Sequence, residues 1–237
     1  MLTSVYEYLK VRLTEPAAAK AAEQLALYRD LVLEYNRAVN LTAIKDPGEF
    51  EIKNVLDSLT CLDGPGLQDA RSVIDIGTGA GLPGIPLAAA CPEKRFVLMD
   101  SLAKRVKIVR EIADRIGLDN VETVHARAED LARDRKYRES FDACVSRAVS
   151  RLPVLCEYCL PFIKVGGVFI SFKGSAYREE IAESANALGI LGGRIAETDD
   201  AVMAEYGLEH AVIYINKIKK TPAIYPRKAG VPAKKPI

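Results

Sequence analysis

Along the first sixty residues the apolar positions recur at helical spacing. Leu25, Tyr28, Leu31, Val32, Tyr35 and Val39 fall at that period and predict a helix over 17–39. Asp46-Pro47-Gly48-Glu49 has the order of a helix start: an Asp cap, Pro at the first position and Glu at the third. Phe50, Ile52, Val55, Leu56 and Leu59 continue an apolar face, and Asp63-Gly64-Pro65-Gly66 breaks it. No strand pattern interrupts this stretch, so residues 1–66 read as a helical lobe packed on the rest. After Ala70 the period changes. Short apolar runs at 72–76, 95–99, 121–124, 141–146 and 166–172 alternate with helical stretches. Such alternation requires crossover connections and a parallel sheet covered on both faces. The last two runs, 193–203 and 210–218, flank Tyr206-Gly207 with no room for a helix between them, which predicts an antiparallel pair. Residues 67–220 then form an α/β domain, and 221–237 remain as a tail.

The densest chemical signal is Val73–Ala88, VIDIGTGAGLPGIPLA, which holds two overlapping glycine patterns. Gly79-Ala80-Gly81-Leu82-Pro83-Gly84 spells the dinucleotide fingerprint, and Gly77-Thr78-Gly79-Ala80-Gly81 spells the turn of methyltransferases that use S-adenosylmethionine. Both place backbone amides at the start of a helix, close to a ligand. Asp100 lies 21 residues past Gly79, where either cofactor offers ribose hydroxyls, so spacing does not discriminate. Three other features do. Asp75, one residue before the loop, suits the ammonium of a methionine moiety and would repel a pyrophosphate. The antiparallel ending departs from nicotinamide-binding folds, which continue with another strand–helix unit. Phe141–Val145 reads as the fourth strand, whose end carries target-side residues in methyltransferases. The expected fold is α/β, class I S-adenosylmethionine-dependent methyltransferase: a Rossmann-like seven-stranded sheet with its last strands antiparallel and an N-terminal helical extension. A branched side chain at Gly79 is expected to block the cofactor.

These residues resemble the RsmG family, also called glucose-inhibited division protein B. The likeness runs through Asn36-x-x-x-Asn40-Leu41-Thr42, Asp57-Ser58, Asp75-x-Gly77 to Pro86, Asp100-Ser101-Leu102-x-Lys104-Arg105, Ser146-Arg147-Ala148 and Lys173-Gly174. It ends in Tyr225-Pro226-Arg227-Lys228-x-Gly230-x-Pro232-x-Lys234-x-Pro236 and covers nearly the whole chain. The chain departs from the family at Lys53-Asn54, where Arg-His is common, so no role of that imidazole carries over.

The resemblance implies transfer of a methyl group from S-adenosylmethionine to N7 of one guanine in 16S ribosomal RNA of the small subunit. It implies a cofactor pocket of Asp75, Gly77, Thr78, Gly79, Gly81, Leu82, Asp100, Ser101, Ala128, Glu129 and Arg147, with Asp100 on the ribose and Ala128-Glu129 near the adenine. Arg147 closes the fourth strand and, with Asn40, is the catalytic candidate. Its guanidinium can hold an RNA phosphate, the guanine O6 or the cofactor carboxylate, or it can pair with Asp142 or Glu129. It is expected to act in the crevice rather than in folding. Asn36 and Asn40, one helical turn apart, can equally be caps. Lys104 and Arg105, with Lys173, Arg227 and Lys228, are the expected RNA contacts.

Charge and composition add limits. Seven Lys or Arg and no acid follow Asn216, leaving 26 basic against 32 acidic side chains before it. That asymmetry marks the tail as an RNA-docking segment whose removal is expected to leave cofactor affinity unchanged. The opening MLTSVYEYLKVRLTE has no uninterrupted apolar core, and nothing nears the roughly 18 apolar residues of a membrane span. Five cysteines without framework spacing suit a reducing cytoplasm. Cys156 and Cys159 form a lone C-x-x-C and read as core residues, and no metal is expected. His125 and His210 stand in no catalytic motif and read as structural or exposed. A cytoplasmic monomer is expected. Two rival readings stay open here: a nicotinamide-dependent dehydrogenase on the same loop, and a non-catalytic RNA-binding module.

Overall fold

The structure, a computed structural model, describes every residue except Met1 and Val202, so one position of the expected 193–203 run lies outside the described residues. The chain opens with α1 (Thr3–Lys10), a short helix that the periodicity did not predict, and α2 (Glu15–Asn36). Val5 and Leu9 of α1 are fully buried, and α1 packs along α2. Asp46 caps the next helix as expected, its Oδ1 accepting from the Glu49 amide at 2.7 Å. The helix does not run on regularly. A turn of α3 (Pro47–Phe50) widens into π geometry over Glu51–Leu56, returns to α4 (Asp57–Leu59) and tightens into a 3-10 turn, Thr60–Asp63. A π turn takes carbonyls off the regular ladder, and here the Lys53 carbonyl accepts from a side chain of the sheet instead.

Strand and helix then alternate: β1 (Ser72–Ile76), α5 (Gly84–Ala90), β2 (Arg95–Asp100), α6 (Ala103–Arg115), β3 (Val121–His125), α7 (Ala128–Leu131), β4 (Phe141–Arg147), α8 (Leu152–Cys159) and β5 (Ile163–Lys173). Two helices follow, α9 (Tyr177–Glu183) and α10 (Ala185–Leu191), and then the hairpin of β6 (Gly193–Asp199) and β7 (Ala211–Lys217); a last turn, α11 (Val231–Lys234), lies in the tail. The seven strands lie in the order β3-β2-β1-β4-β5-β7-β6. β1 to β5 pair in parallel, and β7 runs antiparallel to both β5 and β6.

Alternate side chains of each strand feed opposite cores. Val73, Phe96, Leu98, Val145 and Ile170 face one layer, made with Leu25 and Tyr28 of α2, Leu87 of α5 and Ile112 of α6. Ile74, Val97, Cys144 and Phe169 face the other, with Leu155 and Cys156 of α8 and Leu191 of α10. The N-terminal helices thus share a continuous core with the sheet, and all five cysteines are buried and free. Strand order reverses at β1, flanked by β2 and β4, and in open parallel sheets ligands sit at the carboxyl ends of the strands beside that reversal. No described helix is long and apolar enough to cross a membrane.

Candidate active site

Two cavities open at that edge. The first, about 270 Å³, is lined by Gly77 after β1, Asp100 at the end of β2 and Ser101 after it, Ala128 and Glu129 at the start of α7, Ala148 and Val149 after β4, and Tyr158 of α8. The glycine loop is pinned across β2: the amides of Gly77 and Thr78 both donate to the Met99 carbonyl, at 2.9 and 3.0 Å. The Asp100 carboxylate, almost fully buried, then takes the Gly79 amide on Oδ2 at 3.0 Å and the Leu102 amide on Oδ1 at 2.9 Å. One acid therefore clamps the loop and the head of α6 while it also lines the cavity.

The second cavity, about 430 Å³, shares Ala148 and Val149 with the first and is further lined by Asp57, Arg147, Phe172 and His210. Ala148 holds a left-handed backbone, φ 55°, a conformation that costs an alanine roughly 1–2 kcal/mol and clusters at functional sites. Beside it Arg147 crosses from β4 to the π turn. Its Nη1 donates to the Lys53 carbonyl at 2.8 Å and to Asp57 Oδ2 at 2.7 Å, and its Nη2 donates to the Asn54 amide oxygen. The other Asp57 oxygen lies 3.0 Å from His210 Nδ1, at the start of β7. Asp57 is buried, with both oxygens engaged, and ties three distant segments together.

With the geometry in place, the comparison with known proteins is direct. The family model GidB, rRNA small subunit methyltransferase G, matches residues 21–202. The chain belongs to that family. Proteins named ribosomal RNA small subunit methyltransferase G from Alkaliphilus metalliredigens and Desulfitobacterium hafniense are each 46% identical to it. Those alignments cover 91% and 95% of this chain, and 90% and 93% of theirs. A SAM-dependent methyltransferase from Aquifex aeolicus shares the fold at 17% identity and TM-score 0.57, over 76% of this chain and 97% of that one. GidB membership and the antiparallel β7 disfavour the nicotinamide reading of the loop.

Within this GidB chain the expected site residues part company. Gly77, Asp100, Ser101, Ala128 and Glu129 do meet in the first cavity. Thr78, Gly79, Gly81 and Leu82 do not line it; they build the loop behind it. A Cβ at Gly79 would meet no protein atom nearer than the Gly77 carbonyl at 3.9 Å, whereas one at Gly77 would lie 2.5 Å from Val149 Cγ2. Arg105, expected on RNA, turns into the first cavity 3.8 Å from Asp100. Lys173 is also otherwise engaged: it pairs with Glu180 at 2.7 Å and caps the Ser150 carbonyl, with 7% of its side chain exposed. Arg227 lies on the buried Glu157. Lys217 is buried, its Nζ on the Leu160 carbonyl at 2.7 Å, and burial pushes its ammonium down to about 8. Lys104 and Lys228 are exposed.

Arg147 pairs with Asp57 rather than with Asp142 or Glu129, and it lines the second cavity rather than the first. Asn40 is exposed and lines neither cavity; Asn36 templates its loop, accepting from the amides of Leu41 and Thr42 at 2.8 and 3.0 Å. His125 is exposed, whereas His210 enters the second cavity, which its sequence context did not suggest. Asp57 was visible only as part of a motif without a role.

Asp75 differs most from its expected role. It is fully buried beneath the loop, where Oδ2 accepts from the Thr78 hydroxyl at 2.7 Å and the Gly84 amide at 3.0 Å, while Oδ1 has no partner among the described residues. It caps α5 and shapes the turn instead of lining the cavity. Burial raises its carboxyl from the ordinary 3.8 to about 8. The folded chain thus keeps a proton that the unfolded chain has already released. Its contribution to stability is intact below about pH 4 and is lost as pH climbs through about 8. Thermal scans should show a melting temperature declining over that window, and Asp75→Asn, which keeps one acceptor for Thr78 and Gly84, should flatten the decline. Parallel curves for the two proteins would show the carboxyl to be ionised throughout.

Proposed function

We propose that the protein transfers a methyl group from S-adenosylmethionine to N7 of a guanine in 16S ribosomal RNA, with the cofactor in the first cavity and the guanine in the second. The observation that carries this is the junction of the two cavities at Ala148 and Val149, beside the glycine loop. The donor set suits the cofactor: a carboxylate at Asp100 for vicinal hydroxyls, a second at Glu129 for an exocyclic amine, and bare backbone at Gly77 between them. When bound, S-adenosylmethionine supplies an electrophilic methyl group.

The chain's own work is positioning. Three bonds hold the Arg147 guanidinium, which leaves two of its five N–H groups for a base edge such as guanine O6. Guanine N7 carries an in-plane lone pair and no proton at neutral pH, so its attack needs no general base. Alignment of N7 with the methyl carbon is then the main source of acceleration. Methylation makes the base cationic, and the Asp57 carboxylate lines the same cavity. For the polyanionic backbone, Lys104 and Lys107 on α6 and Lys228, Lys234 and Lys235 on the tail are exposed cations.

His210 favours one competing reading, in which its imidazole removes a proton from an N–H acceptor atom. Purified protein, labelled S-adenosylmethionine and small subunits or rRNA lacking the modification decide between them. The expected product is 7-methylguanosine at one position, formed at a single-turnover rate that varies little between about pH 6.5 and 8.5. Label on another atom, with a rate that follows one ionisation and vanishes in His210→Asn, would install the competing reading. Label on no nucleoside would return the chain to a non-catalytic module.

A further inference from the structure

The C-terminal segment is not a free arm. Thr221 enters it with its amide on Glu139 Oε1 at 2.8 Å. Arg138 then grips the Thr221, Pro222 and Tyr225 carbonyls at 3.0, 3.3 and 2.9 Å, and Arg133 takes the Pro226 carbonyl at 2.6 Å. Arg227 closes on Glu157 through its own amide at 2.7 Å, through Nε and through Nη2 at 2.6 Å. Glu157 is 1% exposed and precedes Tyr158, a wall of the first cavity. Three residues later the Gly230 amide donates to Glu129 Oε1 at 2.8 Å, and Glu129 is itself a wall of that cavity. Gly230 aims this amide from a left-handed backbone, φ 81°, which glycine adopts at no steric cost.

We propose that residues 221–237 are a strap that completes the cofactor site, with the Gly230 amide as the positioning group for Glu129. The inference rests on the reading of the first cavity as the cofactor site. Glu129 presents two oxygens. The strap engages Oε1 and so fixes the carboxylate plane, which leaves Oε2 directed to a donor in the cavity, the exocyclic amine of the bound adenosine. Without the strap, the carboxylate and the Tyr158 wall lose their outer support. Because the coupling is reciprocal, an occupied cavity must also hold the strap down. The strap therefore predicts the opposite of the sequence-based expectation that trimming the tail leaves cofactor affinity unchanged because the pocket lies on the sheet.

Calorimetry with S-adenosylhomocysteine on the full chain and on a chain ending at Lys228 tests the first half. That truncation keeps the Arg227–Glu157 pair and removes Gly230. The loss of a hydrogen bond to a charged group predicts affinity weaker by about tenfold or more, in a protein whose melting temperature shows it folded. The second half needs no truncation. Limited tryptic cleavage of the intact protein after Lys228 and Lys234 should slow with saturating S-adenosylhomocysteine, and Glu129→Ala should abolish that protection while still allowing cleavage. Unchanged affinity in the folded truncated chain, or cleavage indifferent to S-adenosylhomocysteine in a wild type that binds it, would overturn the strap. Absence of S-adenosylhomocysteine binding by the intact chain would instead overturn the cofactor reading, and the strap with it. If the shortened chain does not fold, the cleavage experiment still decides.

Discussion

Arg147→Ala is expected to abolish methyl transfer and also to destabilise the fold, by about 3 kcal/mol, equivalent to roughly 6–12 °C in melting temperature for a chain of this size. The sequence alone put this residue in the crevice and outside the folding problem. The structure puts it in both. Its guanidinium is the partner of a buried carboxylate, Asp57, and the sole acceptor group it meets on Asn54 is buried as well. Removing the cation leaves the buried Asp57 carboxylate with His210 as its remaining side-chain partner. Thermal or denaturant unfolding of Arg147→Ala, Asp57→Ala and the double variant separates the two roles. Coupling of about 1–3 kcal/mol between the pair confirms the bridge, and additivity would remove it. Activity per folded molecule, measured well below the melting transition, reports the crevice role: a folded Arg147→Ala that still methylates would confine Arg147 to the seam.

Gly77 carries the second large effect. A Cβ there would lie 2.5 Å from Val149 Cγ2, and the backbone sits at φ 73°. Gly77→Val therefore combines left-handed strain with displacement of the residue that lines both cavities. S-adenosylhomocysteine affinity should fall by about tenfold or more because the clash displaces Val149, while the roughly 1–2 kcal/mol of strain lowers the stability of free and bound protein alike. Gly79→Ala is the control, since its Cβ meets only open space at φ 59°. It should bear the strain and keep most of the affinity. Equal losses at the two positions would mean that the loop's conformation, and not its approach to the cavity, is what the glycines protect.

Most of the architecture was legible in the chain. The five parallel strands, the hairpin ending, the glycine loop and the acid that ends β2 all rest on short-range patterns, in which neighbours within one element report their own burial. The Asp46 cap is equally local, its acceptor and donor three residues apart. The α1 helix escaped because two buried positions, Val5 and Leu9, are too few to declare a period without the partner helix they pack on. The π turn escaped for a related reason: what stabilises it is a guanidinium that arrives from β4.

What the sequence by itself determined is therefore the order of elements, the sheet they form and the glycine loop that follows β1. The tertiary structure alone decided which way the charged groups point and what they meet. Asp57, Arg147 and His210 are separated by 90 and 153 positions, and Gly230 reaches Glu129 across 101. No periodicity spans such distances. These pairs exist because β1 and β4 end, and the antiparallel β7 begins, on one edge and the tail returns across α7 and α8, so that desolvated charges must find partners wherever the packing leaves them. Asp75 shows the same rule at short range: its place beside the loop was plain, but only the burial of the strand turned its carboxyl under the glycines and onto the Gly84 amide.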